Sequence, residues 1–306
     1  MRERDDILDL LRGLSALIVM LGHLRACTLL SFGELASPNM LLSAFYFVTG
    51  LGHQAVMVFF VLSGYFVGGS VMSGLRNKSF TWGRYSLARL CRLWLVLVPV
   101  LFLTLILDHL GSHYNPQIYA GEYGAIFRSG PTIAKPAEHG FLIALGNLVF
   151  LQTVTVPVFG SNGPLWSLAF EFWYYVLFPL IAVPIFNFVH RSQSKACGKR
   201  WGIPLSVGQL LLGLVLIWWL PKPLLLAGLI WMLGLVVWAI ARHSGVGAWT
   251  RSRLWSPISG CLFIATLVAS KTESLLGSDF CVALAFAIWM PSLLGSWRRS
   301  RWWTAQ

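Results

Sequence analysis

Charge is what this sequence has least of. Only 11% of its 306 residues are Asp, Glu, Lys or Arg, under half the share usual in a soluble domain. Acids are the scarcer sign, 11 against 23 basic residues. Hydrophobic residues make up 57% and the mean hydropathy is +0.70. No soluble core of this length hides that much apolar surface, so the composition excludes a soluble globule and requires a bilayer. Cysteine is sparse and scattered (Cys27, Cys91, Cys197, Cys261, Cys281) with no CxxC pair, which argues against a disulfide framework or a metal site. A cleavable signal peptide is not expected, because the first apolar run is long and contains Arg12 and His23. No internal repeat or low-complexity stretch marks a second domain, so residues 1–306 read as one transmembrane domain. The net charge of +12 is spread between apolar runs, a pattern of orientation signals and not of nucleic-acid binding.

What is present is a series of apolar runs of helical length, at 7–30, 44–72, 91–110, 165–189, 204–221, 223–241, 254–270 and 280–297. Each approaches the roughly 20 residues that cross a bilayer. The run 141–156 is marginal, and charge decides its status. If it does not cross, seventeen of the 23 basic residues fall on one side: Arg2, Arg4, Arg76, Lys78, Arg84, Arg89, Arg92, Arg191, Lys195, Lys199, Arg200, Arg242, Arg251, Arg253, Arg298, Arg299 and Arg301. Five fall on the other: Arg25, Arg128, Lys135, Lys222 and Lys271. The positive-inside rule then makes the first side, and the N-terminus, cytoplasmic. The expected fold is an all-α polytopic bundle of about eight spans plus one short re-entrant helix, whose ends protein or a water-filled cavity must cover. The long outer loop 111–140 is a candidate lip over an outward-facing site.

Ionisable residues inside such runs are expensive and mark function. The first run, ILDLLRGLSALIVMLGHL, places Arg12 and His23 eleven residues apart. At 100° per residue they share a face to within about 20° and stand about 16 Å apart along the axis. Asp9 precedes Arg12 by three, a spacing that permits an ion pair. The second run holds His53 near its outer end and a small-residue stretch, Ser63, Gly64, Gly68 and Gly69, suited to close helix packing or to a narrow ligand. Arg84, Arg89 and Arg92 sit at the entry of the third run. Guanidinium groups there suit phosphate recognition, as well as orientation and lipid headgroups. Glu171 lies inside the apolar segment NGPLWSLAFEFWYYVLFP, near Trp166, Ser167 and Tyr174, and needs a partner or a shifted proton affinity.

These segments together resemble the membrane-bound acyltransferase-3 family of bacterial O-acetyltransferase type. The first run is similar to the pattern LDxLRGLxAxxVxxxH, with Arg12 and His23 at the family's gap. FFVLSGYF at 59–66, ARLCRLWLVLVP at 88–99 and WSLAFEFWYYVLFP at 166–179 resemble its next motifs, in order. His53 stands where the family often has a Trp or Leu-like residue. The resemblance beyond 180 is a hydrophobic pattern only, and the family continues with one or two further helices, so the chain reads as C-terminally truncated. The resemblance implies a multi-pass protein of the bacterial inner membrane that moves an acyl group, often acetyl, from cytoplasmic acyl-CoA to a hydroxyl of a cell-surface or secreted carbohydrate. The donor is a substrate, and no permanently bound cofactor is expected. On this reading Arg84, Arg89 and Arg92 hold the CoA phosphates. Ser63 and Gly64 line the path of the pantetheine arm. His23 acts as general base or transient acyl carrier, Glu171 orients or charge-balances it, and Arg12 fixes the first helix and positions the thioester. Asp9, His53, Trp166, Ser167 and Tyr174 are possible additional site residues. The competing reading is a proton-coupled transporter or flippase of a lipid-linked sugar or small anion, in which the same Arg, His and Glu relay protons. The sequence leaves the acceptor, the acyl length and the oligomeric state open.

Overall fold

The computed structural model describes residues 6–124, 130–190, 202–241, 254–272 and 274–302. Among these it is helical, with no strand beyond two isolated bridges. Its helices are α1 (Asp6–Thr28), α2 (Met40–Thr49), α3 (Gly52–Ser63), α4 (Gly69–Arg76), α5 (Trp82–Tyr114), α6 (Pro116–Ala120), α7 (Phe141–Leu148), α8 (Leu165–Val189), α9 (Gly202–Trp219), α10 (Lys222–Ala241), α11 (Trp255–Ala269) and α12 (Asp279–Trp302). A π-helical turn, Gly64–Gly68, joins α3 to α4 without a break. The chain forms two compact units, one of residues 1–69 and 227–306, the other of residues 70–226.

Among the described residues, five helices are long and apolar enough to cross a membrane: Asp6–Thr28, Gly52–Arg76, Trp82–Tyr114, Leu165–Val189 and Lys222–Ala241. Three further runs of the sequence form shorter apolar helices, Pro204–Trp219, Trp255–Ala269 and Asp279–Leu294. The expected second run, 44–72, is divided. Its first part belongs to α2, which Asn39 caps by accepting the Leu42 N–H at 2.8 Å, and the spanning helix starts only at Gly52. Hydropathy does not see this boundary, because both sides are apolar and the turn at Gly50–Leu51 carries no charge.

Lipid-facing surface is legible in the exposures. Leu10, Leu14, Leu17, Met20 and Leu24 form one exposed apolar stripe along α1, and Leu95, Phe102 and Leu107 are exposed on α5. Hydroxyls on these helices return to their own backbone. Thr28, Thr49, Thr104 and Ser259 each donate to the carbonyl four residues earlier, which satisfies these hydroxyls within their own helices.

The marginal run 141–156 holds only the eight residues of α7, about 12 Å of helix, too short to cross. Its ends are covered by protein. Trp94 Nε1 donates to the Leu148 carbonyl at 2.9 Å. Buried Asn147 donates to the carbonyls of Ile143 and Pro157 and accepts the Phe159 N–H at 3.0 Å. After α7, Phe150 and Thr153 take left-handed backbone conformations (φ 61° and 66°). Phe150 stacks on Phe172 with centroids 4.4 Å apart and receives the Trp173 indole N–H on its carbonyl.

The basic residues that set the expected orientation lie largely outside the described residues. This holds for Arg2, Arg4, Arg128, Arg191, Lys195, Lys199, Arg200, Arg242, Arg251 and Arg253, and for the side chains of Arg298, Arg299 and Arg301.

Candidate functional site

In the first unit, α1 runs unbroken from Asp6 to Thr28, so Arg12 and His23 share the face that their spacing defines. The ion pair that the Asp9 spacing permits is formed, Arg12 Nη1 to Asp9 Oδ1 at 3.1 Å. The Arg12 guanidinium also lies over the Phe66 ring, 5.5 Å from its centroid. That contact ties the charged end of α1 to the π-turn that follows α3. His23 is half-buried near the other end of the helix.

Ser63 and Gly64 sit at the entry to that π-turn. Ser63 Oγ accepts the Trp231 indole N–H at 3.1 Å. A Cβ on Gly64 would run into the Trp231 carbonyl, and one on Gly234 into the Val61 carbonyl. Gly68 and Gly69 face the side chains of Trp231, Leu235 and Trp238. The space left by these small residues is filled by α10, so their immediate use is close helix packing. His53 is half-exposed, with Nε2 2.9 Å from Oδ2 of Asp279, the first residue of α12.

In the second unit, α5 begins at Trp82 and carries Arg84 and Arg92 exposed and Arg89 half-buried. The Arg89 guanidinium lies 5.7 Å from the ring centroids of both Tyr85 and Tyr175. Its Nε–H is shielded from solvent and has no hydrogen-bond partner. Tyr85 O–H donates to the Tyr175 carbonyl at 3.0 Å, and Tyr175 O–H donates to Glu171. Arg89, Tyr85, Tyr175 and Glu171 therefore form one connected group. The sequence drew attention to Tyr174, whose hydroxyl instead donates to the Leu224 carbonyl at 2.8 Å and serves packing. Tyr175, four residues after Glu171, is a partner of that carboxylate. The i, i+4 spacing on a helix could have found it. Ser167 donates to the Pro164 carbonyl at the start of α8, and Trp166 packs edge-on against Phe170. Both order the first turn of the helix that carries Glu171.

A second polar cluster in this unit was not legible from spacing. Asp108, 2% exposed at the far end of α5, takes His139 Nε2 at 2.7 Å, the Ser161 N–H at 2.7 Å and the Ser161 hydroxyl at 2.5 Å. Gly160 has φ +60°, and a Cβ there would collide with Asp108 and His139. The cluster fastens segments 138–140 and 159–162 to α5. Those residues are far apart in sequence and carry no motif, which is why only the fold reveals them.

Long apolar helices with charged groups held inside them define a multi-pass membrane protein of the helical-bundle class. The family model for the acyltransferase domain (acyltransferase-3) matches residues 5–305, and the chain belongs to that family. It is a membrane acyltransferase. No curated protein and no solved structure matches the chain.

Proposed function

We propose that the protein is an O-acyltransferase of the bacterial inner membrane, with eight spans, α7 as a half-crossing helix and a cytoplasmic N-terminus, that moves an acetyl group from acyl-CoA to a hydroxyl of a carbohydrate. The observation that carries the donor side is Arg89. Its guanidinium is held on two tyrosine rings with a shielded, unpartnered N–H, and Arg84 and Arg92 stand exposed on the same helix. A fixed guanidinium with donors to spare suits a phosphate. In this reading the three arginines bind the phosphates of acyl-CoA.

The chemistry is assigned to His23. Its neutral imidazole takes the proton of the acceptor hydroxyl as that oxygen attacks the thioester carbonyl, and the C–S bond breaks to release CoA as the thiol. An acyl-imidazole formed first and then passed to the hydroxyl gives the same products. Arg12 positions the thioester. Glu171, held by Tyr175, is a positioning group. The test is binding of radiolabelled acetyl-CoA to the purified chain. The parent binds saturably, and Arg89→Gln raises the half-saturating concentration about tenfold or more, the loss expected for one charge-assisted bond to phosphate. Equal binding by the two, or none by a folded parent, favours the transport reading.

A further inference from the structure

The end of the first unit that holds His23 carries two cations that the acyl-transfer reading does not use. Gly22 packs so closely that a Cβ there would meet the Thr49 carbonyl at 2.6 Å and the Gly52 Cα at 3.7 Å. Gly22, the residue before His23, therefore packs against the turn from Thr49 to Gly52. Three residues after Gly22, and so on the same face of α1, the Arg25 guanidinium lies over the Tyr46 ring, 4.8 Å from its centroid. Its Nε–H is shielded and has no hydrogen-bond partner. Tyr46 is 7% exposed and is itself held by its O–H bond to the Leu30 carbonyl at 2.8 Å. Lys271, just beyond α11, donates from Nζ to the Gly50 carbonyl at 2.6 Å. Gly50 is one helical turn from Tyr46, whose carbonyl accepts its N–H at 2.9 Å.

Two cations thus stand over adjacent turns of one segment. Among the described residues neither pairs with a carboxylate. Burial, and then the neighbouring Arg25, pull the Lys271 ammonium below the usual lysine range, the expected cost of desolvating a charge and of placing like charges together. A cation that only snorkels to headgroups extends freely into the interface. Arg25 is instead fixed on a buried ring with donors to spare.

We propose that Arg25 and Lys271 bind an anionic group, a carboxylate or phosphate, on the acceptor carbohydrate. This makes the acceptor an acidic sugar or a phosphorylated glycan, and it rests on the reading of His23 as the acyl-transfer base. The guanidinium offers directional donors and the ammonium a point charge, a pair that matches one oxyanion.

The test is thermal unfolding of the full chain in a nonionic detergent free of anionic lipid, titrated with D-glucuronate, inorganic phosphate or D-glucose. Glucuronate stabilises the parent saturably and glucose does not. Arg25→Gln with Lys271→Gln shifts the half-saturating concentration about tenfold or more, whereas Lys222→Gln leaves it unchanged. Arg25→Lys, which keeps the charge and loses the fork, gives an intermediate shift and serves if the double variant does not fold. An equal glucuronate response in parent and double variant overturns the proposal. So does a parent that ignores glucuronate and is stabilised only in phosphatidylglycerol nanodiscs, which makes the pair a headgroup site. His23→Ala separates the two readings, because it retains glucuronate binding if the anion site stands, even where transfer itself is absent from every donor.

Discussion

At the residue scale, the polar side chains divide into those that hold structure and those left with donors or lone pairs free for a ligand. Arg89 and Arg25 belong to the second group, since each has a shielded Nε–H with no partner. If Arg89 holds a donor phosphate as proposed, Arg89→Gln raises the KM for acyl-CoA by about tenfold or more while changing kcat little, because only a ground-state contact is lost; steady-state kinetics on membranes checks this. Tyr175→Phe removes the hydroxyl that donates to Glu171 and keeps the ring under Arg89. It is expected to lower kcat and leave the KM for acyl-CoA near the parent value, and an unchanged kcat would remove Glu171 from its positioning role. The sequence made Asp9, Arg12, His23, Glu171 and the arginines of α5 visible because a charge in an apolar run stands out. It pointed to Tyr174 and not Tyr175, because neighbouring tyrosines differ only in which carbonyl or carboxylate their hydroxyls meet, and that is set by packing against Glu171 and Leu224.

At the element scale, the glycines of the π-turn let α3 and α10 approach backbone to backbone. Gly64→Ala sets a methyl against the Trp231 carbonyl and is expected to cost about 1–3 kcal/mol, the usual penalty of overpacking. A lowered unfolding temperature in detergent, with the helical circular-dichroism signal retained below it, is the expected result. Most helices were legible as apolar runs, and α8 coincides with its run at both ends. Where the run continued through a turn, as at Gly50–Leu51, periodicity could not mark the break. The short α7 was legible only through the charge balance of the loops. The reason it can stop inside an apolar run lies in contacts between residues distant in sequence, Trp94 to Leu148 and Asn147 to Pro157.

At the scale of the whole molecule, the chain is a membrane protein with two compact units, one of residues 1–69 and 227–306 and the other of residues 70–226. The loops need anchors to present a surface, and Asp108 supplies one for residues 138–162. Asp108→Ala strands three donors, from His139 and Ser161, and is expected to destabilise the second unit by about 3 kcal/mol. Faster proteolysis between 131 and 164 in sealed spheroplasts would show both the loosening and the outward placement of that segment. The central claim is that the chain transfers an acyl group through His23. It is tested most directly by incubating membranes bearing the protein, or its His23→Ala variant at equal expression, with radiolabelled acetyl-CoA and counting label in the envelope glycans. Label is expected with the parent and none above background with the variant. Equal label with both, or none with a folded parent across several acyl-CoA donors, would contradict it.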